Sequence, residues 1–144
     1  LREGVPEAQR HEGTGSIKHD VSVPISRVSE FLREANKRVH EQMPAARICA
    51  FGHMGDGNIH YNVNQPFDMD KDLFLKQWDI FKTIVHDLVN DMDGSVSAEH
   101  GIGLLKRKDM AIYKDPVALD LMRAVKQTLD PQNIMNPGKV LPDG

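Results

Sequence analysis

The sequence predicts an α+β fold: an antiparallel sheet with its two main helices on one face, plus a C-terminal helix. Three observations predict it. Two short segments, SIKHDVSVP and NIHYNV, alternate apolar and polar residues as half-buried strands do. Two longer stretches, Val28 to Val39 and Leu73 to Met92, carry apolar residues at helical spacing. The segments run strand, helix, strand, strand, helix, strand, then a terminal helix, and one sheet covered on one side buries all of them.

Each element has its own signal. Residues 1–15 are polar, carry Pro6, Gly4, Gly13 and Gly15, and read as loop or short helix. In SIKHDVSVP, Ile17, Val21 and Val23 take one side while Lys18, Asp20 and Ser22 take the other, and Pro24 stops the strand. Ser26 reads as an N-cap for a helix carrying Val28, Phe31, Leu32, Ala35 and Val39, closed by Pro44. ARICAF is an apolar strand with Cys49 in its core. The glycine-rich turn GHMGDG leads to NIHYNV, where Asn58, His60 and Asn62 share a face opposite Ile59, Tyr61 and Val63. The longest helix runs from near Asp70 to Gly94 on a broad apolar stripe. GSVSAE is a short fourth strand, with Val96 and Ala98 opposed to Ser95, Ser97 and Glu99. Asp115-Pro116 caps and opens the last helix, which ends before Asp130-Pro131. The turn-rich tail NIMNPGKVLP needs packing to hold it. Together this is a ferredoxin-like layer, with residues 1–144 read as one domain.

Composition narrows the function. With 40% hydrophobic and 27% charged residues, the chain has the makeup of an ordinary water-soluble domain. A net charge of −3 with scattered Lys and Arg gives no footprint for nucleic acid. No apolar run approaches the ~20 residues of a bilayer span. The single cysteine excludes an internal disulfide and any CxxC pair. The chain begins at Leu1 within a pattern and is read as a fragment. The expected location is cytoplasmic or on the cytoplasmic side of a membrane, and mitochondrial in a eukaryote.

Side chains that bind metals and move protons concentrate in three places. GHMGDGNIH supplies His53 and His60, with Asp56 and Asn58 between them. SAEHGIG supplies Glu99 and His100, and the first strand supplies Lys18. Two histidines and a carboxylate suffice to hold a zinc-type divalent ion with positions left for substrate. The glycines at 52, 55 and 57 let the turn fold back so that His53 and His60 converge. A polar sheet face bearing Lys18, Asn58, His60, Asn62, Ser97 and Glu99 is expected to meet a ligand or another domain. His11, His19, His40 and His86 sit in surface-like or helical contexts and are not read as ligands. There is no GxGxxG, Walker-type or GxSxG motif.

The motifs SIKHDVSVP, FGHMGDGNIHYNV, GSVSAEHGIGLLKR and LDPQNIMNPGKVLP occur in order along nearly the whole chain. Together they resemble the C-terminal domain of FAD-linked oxidases of the vanillyl-alcohol-oxidase type, and most closely the D-2-hydroxyglutarate, D-lactate and glycolate dehydrogenase branch. The resemblance implies a cap that covers a flavin held mainly by an N-terminal domain absent from this chain. It implies metal ligands at His53, His60 and Glu99, with zinc the expected ion, and a general base at His100. Arg2, Lys18 and Asn62 match substrate-contacting positions, and Asn136 lies where the family approaches the FAD. Some hydroxyglutarate-specific relatives carry a threonine four residues after the arginine. Here that place is Pro6, so a smaller acid such as lactate or glycolate stays open as substrate.

The resemblance therefore implies a flavoenzyme that oxidises a D-2-hydroxy acid to the 2-oxo acid. Its partners are the small-molecule acid, its own FAD-binding domain and an unspecified electron acceptor, with self-association of the exposed face a further expectation. Two alternatives compete: a metal-free enzyme of the same family, whose histidines bind the carboxylate directly, and a ferredoxin-like module that binds a ligand without chemistry.

Overall fold

The structure, a computed structural model, describes Gly4 and residues 14–142. The chain divides into two compact units, Leu1–Glu99 and His100–Gly144.

In the first unit, β1 (Ser16–Ser22), β2 (Arg47–Phe51) and β3 (Asn58–Asn64) form one antiparallel sheet in the order β1-β3-β2. The register pairs Lys18 with Asn62 and Asp20 with His60 across β1 and β3, and Cys49 with Asn62 and Phe51 with His60 across β2 and β3. Paired residues share a face. Lys18, Asp20, Asn58, His60 and Asn62 therefore lie on one side, the division that alternation predicts for β1 and β3.

The other face is the core. Ile17, Val21, Ile59, Tyr61 and Val63 are buried there. α1 (Val28–Gln42) covers them with Val28, Phe31, Ala35 and Val39, and α3 (Trp78–Asp91) with Phe81, Val85, Leu88 and Val89. Phe31 meets Tyr61 edge-on at 5.8 Å between ring centres. Burial pushes the Tyr61 phenol up, and its hydroxyl donates to Asn36 Oδ1 at 2.9 Å.

The sheet order is that of a ferredoxin-like layer whose fourth strand has shrunk to one bridge, Ser22 to Ser95, beside β1. The expected strand GSVSAE does not extend because Ser95 Oγ donates to the Ser97 carbonyl at 2.9 Å and accepts from its amide at 3.3 Å. That local bonding turns the backbone out of the ladder.

Other expectations shift for local reasons. Ser26 does not cap α1. It lies inside a 3-10 turn, Ile25–Arg27, closed by the Arg27 amide on the Pro24 carbonyl at 2.8 Å, and the helix starts one residue later. The long helix is two helices, α2 (Lys71–Leu75) and α3, separated at Lys76–Gln77. Asp70 does cap α2, accepting from the Asp72 and Leu73 amides at 3.0 Å each. Cys49 is half-buried on the polar face of the edge strand rather than in the core, and its burial raises the thiol pKa. His19 and His86 are buried, not surface residues, and meet edge-on at 6.0 Å on the helix side of the sheet.

The second unit holds α4 (Arg107–Tyr113) and α5 (Pro116–Leu129). Asp115 caps α5 by accepting from the Ala118 amide at 3.0 Å, with Pro116 in the first turn as the sequence predicts. The tail is pinned by Asp130, whose carboxylate accepts from the Ile134 and Met135 amides and from the Lys126 ammonium. Arg107 Nε donates to the Leu141 carbonyl at 2.8 Å. A groove of about 550 Å³ runs along α5, lined by Leu121, Val125, Leu129, Met135 and Leu141 among others. Among the described residues no helix is long and apolar enough to cross a membrane.

Candidate metal and substrate site

The site is built on the hairpin between β2 and β3. Its tight turn needs glycine at two places. Gly57 has a left-handed φ of 66°, and a Cβ there would lie 2.1 Å from the Val23 carbonyl oxygen. A Cβ on Gly52 would lie 2.2 Å from the Asn58 carbonyl oxygen. Gly55 faces open space, so nothing there requires glycine. Between them Met54–Asp56 makes a 3-10 turn, and the His53 carbonyl accepts from both the Asp56 and Asn58 amides, at 3.0 and 3.2 Å. The chain thus doubles back so that His53 lies beside the start of β3.

His53, His60 and Glu99 come together. His53 Nδ1 lies 2.6 Å from Glu99 Oε1, and His60 Nε2 lies 3.6 Å from Glu99 Oε2. The Asn58 amide donates to Glu99 Oε1 and lies 3.5 Å from His53 Nδ1. His60 is the more sheltered, with 17% of its side chain exposed against 41% for both His53 and Glu99. Two imidazoles and one carboxylate are donor types that a borderline divalent ion accepts. Partial exposure leaves room for further oxygen ligands.

The remaining expected residues fall as follows. Lys18 is exposed on β1 and pairs across the ladder with Asn62, which is buried on the central strand. The two sit on the same sheet face as His60. His100 follows Glu99 directly in the chain and is exposed, as the first residue of the second unit. Asn136 lies in the second unit, with a left-handed φ of 47°, along the α5 groove. Arg2 and Pro6 lie outside the described residues.

Two residues at the site had no role in the sequence reading. Asn58 was expected between the two histidines and on the polar face without a task of its own, and its side chain donates to Glu99. Asp20 is buried, and its Oδ2 accepts from the Glu99 amide at 2.9 Å. Alternation places Asp20 on the correct face. Only the strand register puts it opposite His60.

Residues 1–140 match the family described as FAD linked oxidases, C-terminal domain. A D-2-hydroxyglutarate dehydrogenase of Stutzerimonas stutzeri is 41% identical over 97% of this chain and 30% of its own length. A mitochondrial D-2-hydroxyglutarate dehydrogenase of Danio rerio is 37% identical over 99% of this chain and 25% of its own. A Schizosaccharomyces pombe relative, provisionally named a mitochondrial D-lactate dehydrogenase, is 35% identical over 96% of this chain and 27% of its own. The chain thus spans between a quarter and a third of the length of these relatives.

Proposed function

This chain belongs to the family of FAD linked oxidase C-terminal domains, and from that membership we propose that it is the substrate- and metal-binding part of an FAD-dependent dehydrogenase that oxidises a D-2-hydroxy acid to the 2-oxo acid. The observation that carries the reading is the placement of His53 and His60 on the two oxygens of Glu99. The names of the relatives support D-2-hydroxyglutarate or D-lactate as the substrate.

His53, His60 and Glu99 would hold the divalent ion, with zinc the best match to two imidazoles and a carboxylate. When bound, the ion supplies Lewis acidity at the hydroxyl oxygen. His100 takes the hydroxyl proton, and its neutral form is the one competent to do so. Asn62 directs its amide at the substrate, and Lys18 supplies a cation for its carboxylate. Arg2 offers a bidentate grip on the same anion. FAD, held mainly by a separate domain, would supply the acceptor for the α-carbon hydride, and Asn136 would lie where the cap approaches it. Because the zebrafish relative is named as mitochondrial, the same reading places a eukaryotic bearer of this chain in that organelle.

The deciding experiment is anaerobic flavin bleaching in the full-length protein against a panel of D- and L-2-hydroxy acids. Bleaching by one D-acid is expected. No bleaching by any acid, with FAD and metal both bound, overturns the reaction. Two variants test the roles. His60→Ala is expected to lose both metal and turnover, and unchanged metal content removes it from the ligand set. His100→Ala is expected to keep the metal and lose flavin reduction, and retained turnover removes it as the base.

A further inference from the structure

Asp20 is the least explained charge near the site. Its side chain is 3% exposed, and a carboxylate that deep is unfavourable unless it is matched by donors or cations. Its surroundings are specific. Oδ2 accepts from the Glu99 amide at 2.9 Å, and the Asp20 main-chain carbonyl accepts from the Ala98 amide at 3.3 Å. Those two bonds tether the backbone that carries Glu99 where the fourth strand has already left the ladder. Oδ1 lies 3.7 Å from His60 Nδ1, directly across the β1–β3 pair. The opposite ring nitrogen, Nε2, is the one that faces Glu99 Oε2 at 3.6 Å. The Phe51 ring flanks His60 from β2, 5.1 Å between centres, which limits how the imidazole can turn.

We infer that Asp20 is a positioning residue for two of the three ligands: it holds His60 as the Nδ1–H tautomer with the Nε2 lone pair toward Glu99, and it fixes the Glu99 main chain. The inference rests on the metal reading above. The physical basis is general. A histidine that binds a metal through one ring nitrogen uses the other to donate to an acceptor, which sets both tautomer and ring orientation. The two carboxylates beside His60 differ in a way that divides these tasks. Glu99 is partly exposed and already accepts from Asn58 while it contacts His53. Asp20 is buried, where an ionised acceptor attracts an N–H more strongly than it would in water. The ring N–H belongs on the Asp20 side and the lone pair on the Glu99 side.

The test uses the full-length protein in three measurements at one fixed pH. Nitrogen-15 spectra of labelled histidine, with the His60 signals assigned by their loss in His60→Gln, read the tautomer without altering Asp20. The Nδ1–H form is expected in the wild type, and the Nε2–H form overturns the inference. Asp20→Asn keeps an oxygen for the Glu99 amide, so folding is preserved, and chelator competition is expected to show about ten- to a hundred-fold weaker zinc binding. Affinity within about twofold of wild type overturns the inference. Cobalt(II) in place of zinc reports the ligands themselves. Unchanged visible band positions in Asp20→Asn are expected, and shifted bands would make Asp20 a ligand and overturn its positioning role. If the wild type binds no metal, the metal reading fails by itself. The tautomer then decides Asp20 alone, with a loss of the Nδ1–H preference in Asp20→Asn supporting it and no change overturning it.

Discussion

The two compact units differ in how much of their apolar side-chain set they bury, although both expose some large hydrophobic residues. In the first, Phe31, Phe74, Phe81, Tyr61 and Val85 are fully buried between a sheet and its helices. In the second, Met110 and Leu119 are buried while Leu105, Leu121, Val125, Leu129 and Ile134 are exposed. The helices of the second unit are well specified locally, since Asp115 caps α5 and Asp130 ties down the tail beyond it. Capping fixes where a helix starts and stops but does not bury its apolar face, and most helix stability in proteins comes from that burial. His53, His60 and Glu99 are all carried by the unit that encloses its own core. Such placement suits side chains that must hold a fixed geometry.

The strongest test of this contrast is a pair of truncations. Phe81→Ala removes a fully buried ring and is expected to destabilise the first unit by about 3–5 kcal/mol. Leu121→Ala, at 63% exposure, is expected to change stability by less than about 0.5 kcal/mol. Denaturant unfolding of the chain measures both. Equal losses would mean that α5 has a core of its own, and the contrast would fall.

A second pair compares turns. Gly103→Ala meets a left-handed φ of 53° but open space, and is expected to cost about 1–2 kcal/mol. Gly57→Ala meets the same backbone problem and the Val23 carbonyl as well, so its loss should be clearly larger. Thermal melts rank the two. A smaller effect at Gly57 would show that the hairpin holding His53 is looser than its contacts imply.

The smallest expected effect concerns acid. The Lys126 ammonium, with help from the Met135 and Ile134 amides, holds the Asp130 carboxyl below its ordinary range. The stability it contributes is therefore fully present above the unfolded carboxyl's pKa and is lost as pH falls through the lowered folded value. Melting midpoints of wild type and Asp130→Asn should differ most near roughly pH 7 and converge toward roughly pH 3. A constant gap across that range would separate Asp130 from the acid response.

Much of this was legible in the residues themselves. The alternation of Ile17, Val21, Ile59, Tyr61 and Val63 assigns both faces of β1 and β3, and Asp115-Pro116 marks the start of α5. The spacing of GHMGDGNIH and SAEH brings forward the residues that converge on Glu99. His19 shares the parity of Ile17 and Val21, so its burial was written there too, but a polar ring among strand residues reads first as exposed. What failed depended on competition between local and distant contacts. Ser26 was drawn into a 3-10 turn by the backbone after Pro24. The apolar stripe from Leu73 to Met92 does not reveal the break at Lys76–Gln77, because a stripe records what is apolar and not whether one axis continues. Asp20 escaped notice because its contacts depend on a strand partner about forty residues away.

The lone bridge between Ser22 and Ser95 bears on how this fold tolerates changes in length. Along a full strand, adding or removing one residue inverts every side chain beyond that point, and a glutamate facing the ligands would be turned into the core. After a single bridge there is no such parity to preserve. The stretch Val96–Ser97 can gain or lose a residue and still deliver Glu99 to the same place, as long as the Asp20 carbonyl and carboxylate capture the Ala98 and Glu99 amides. An insertion here is a change of tether length, whereas the same insertion in β3 would scramble the site.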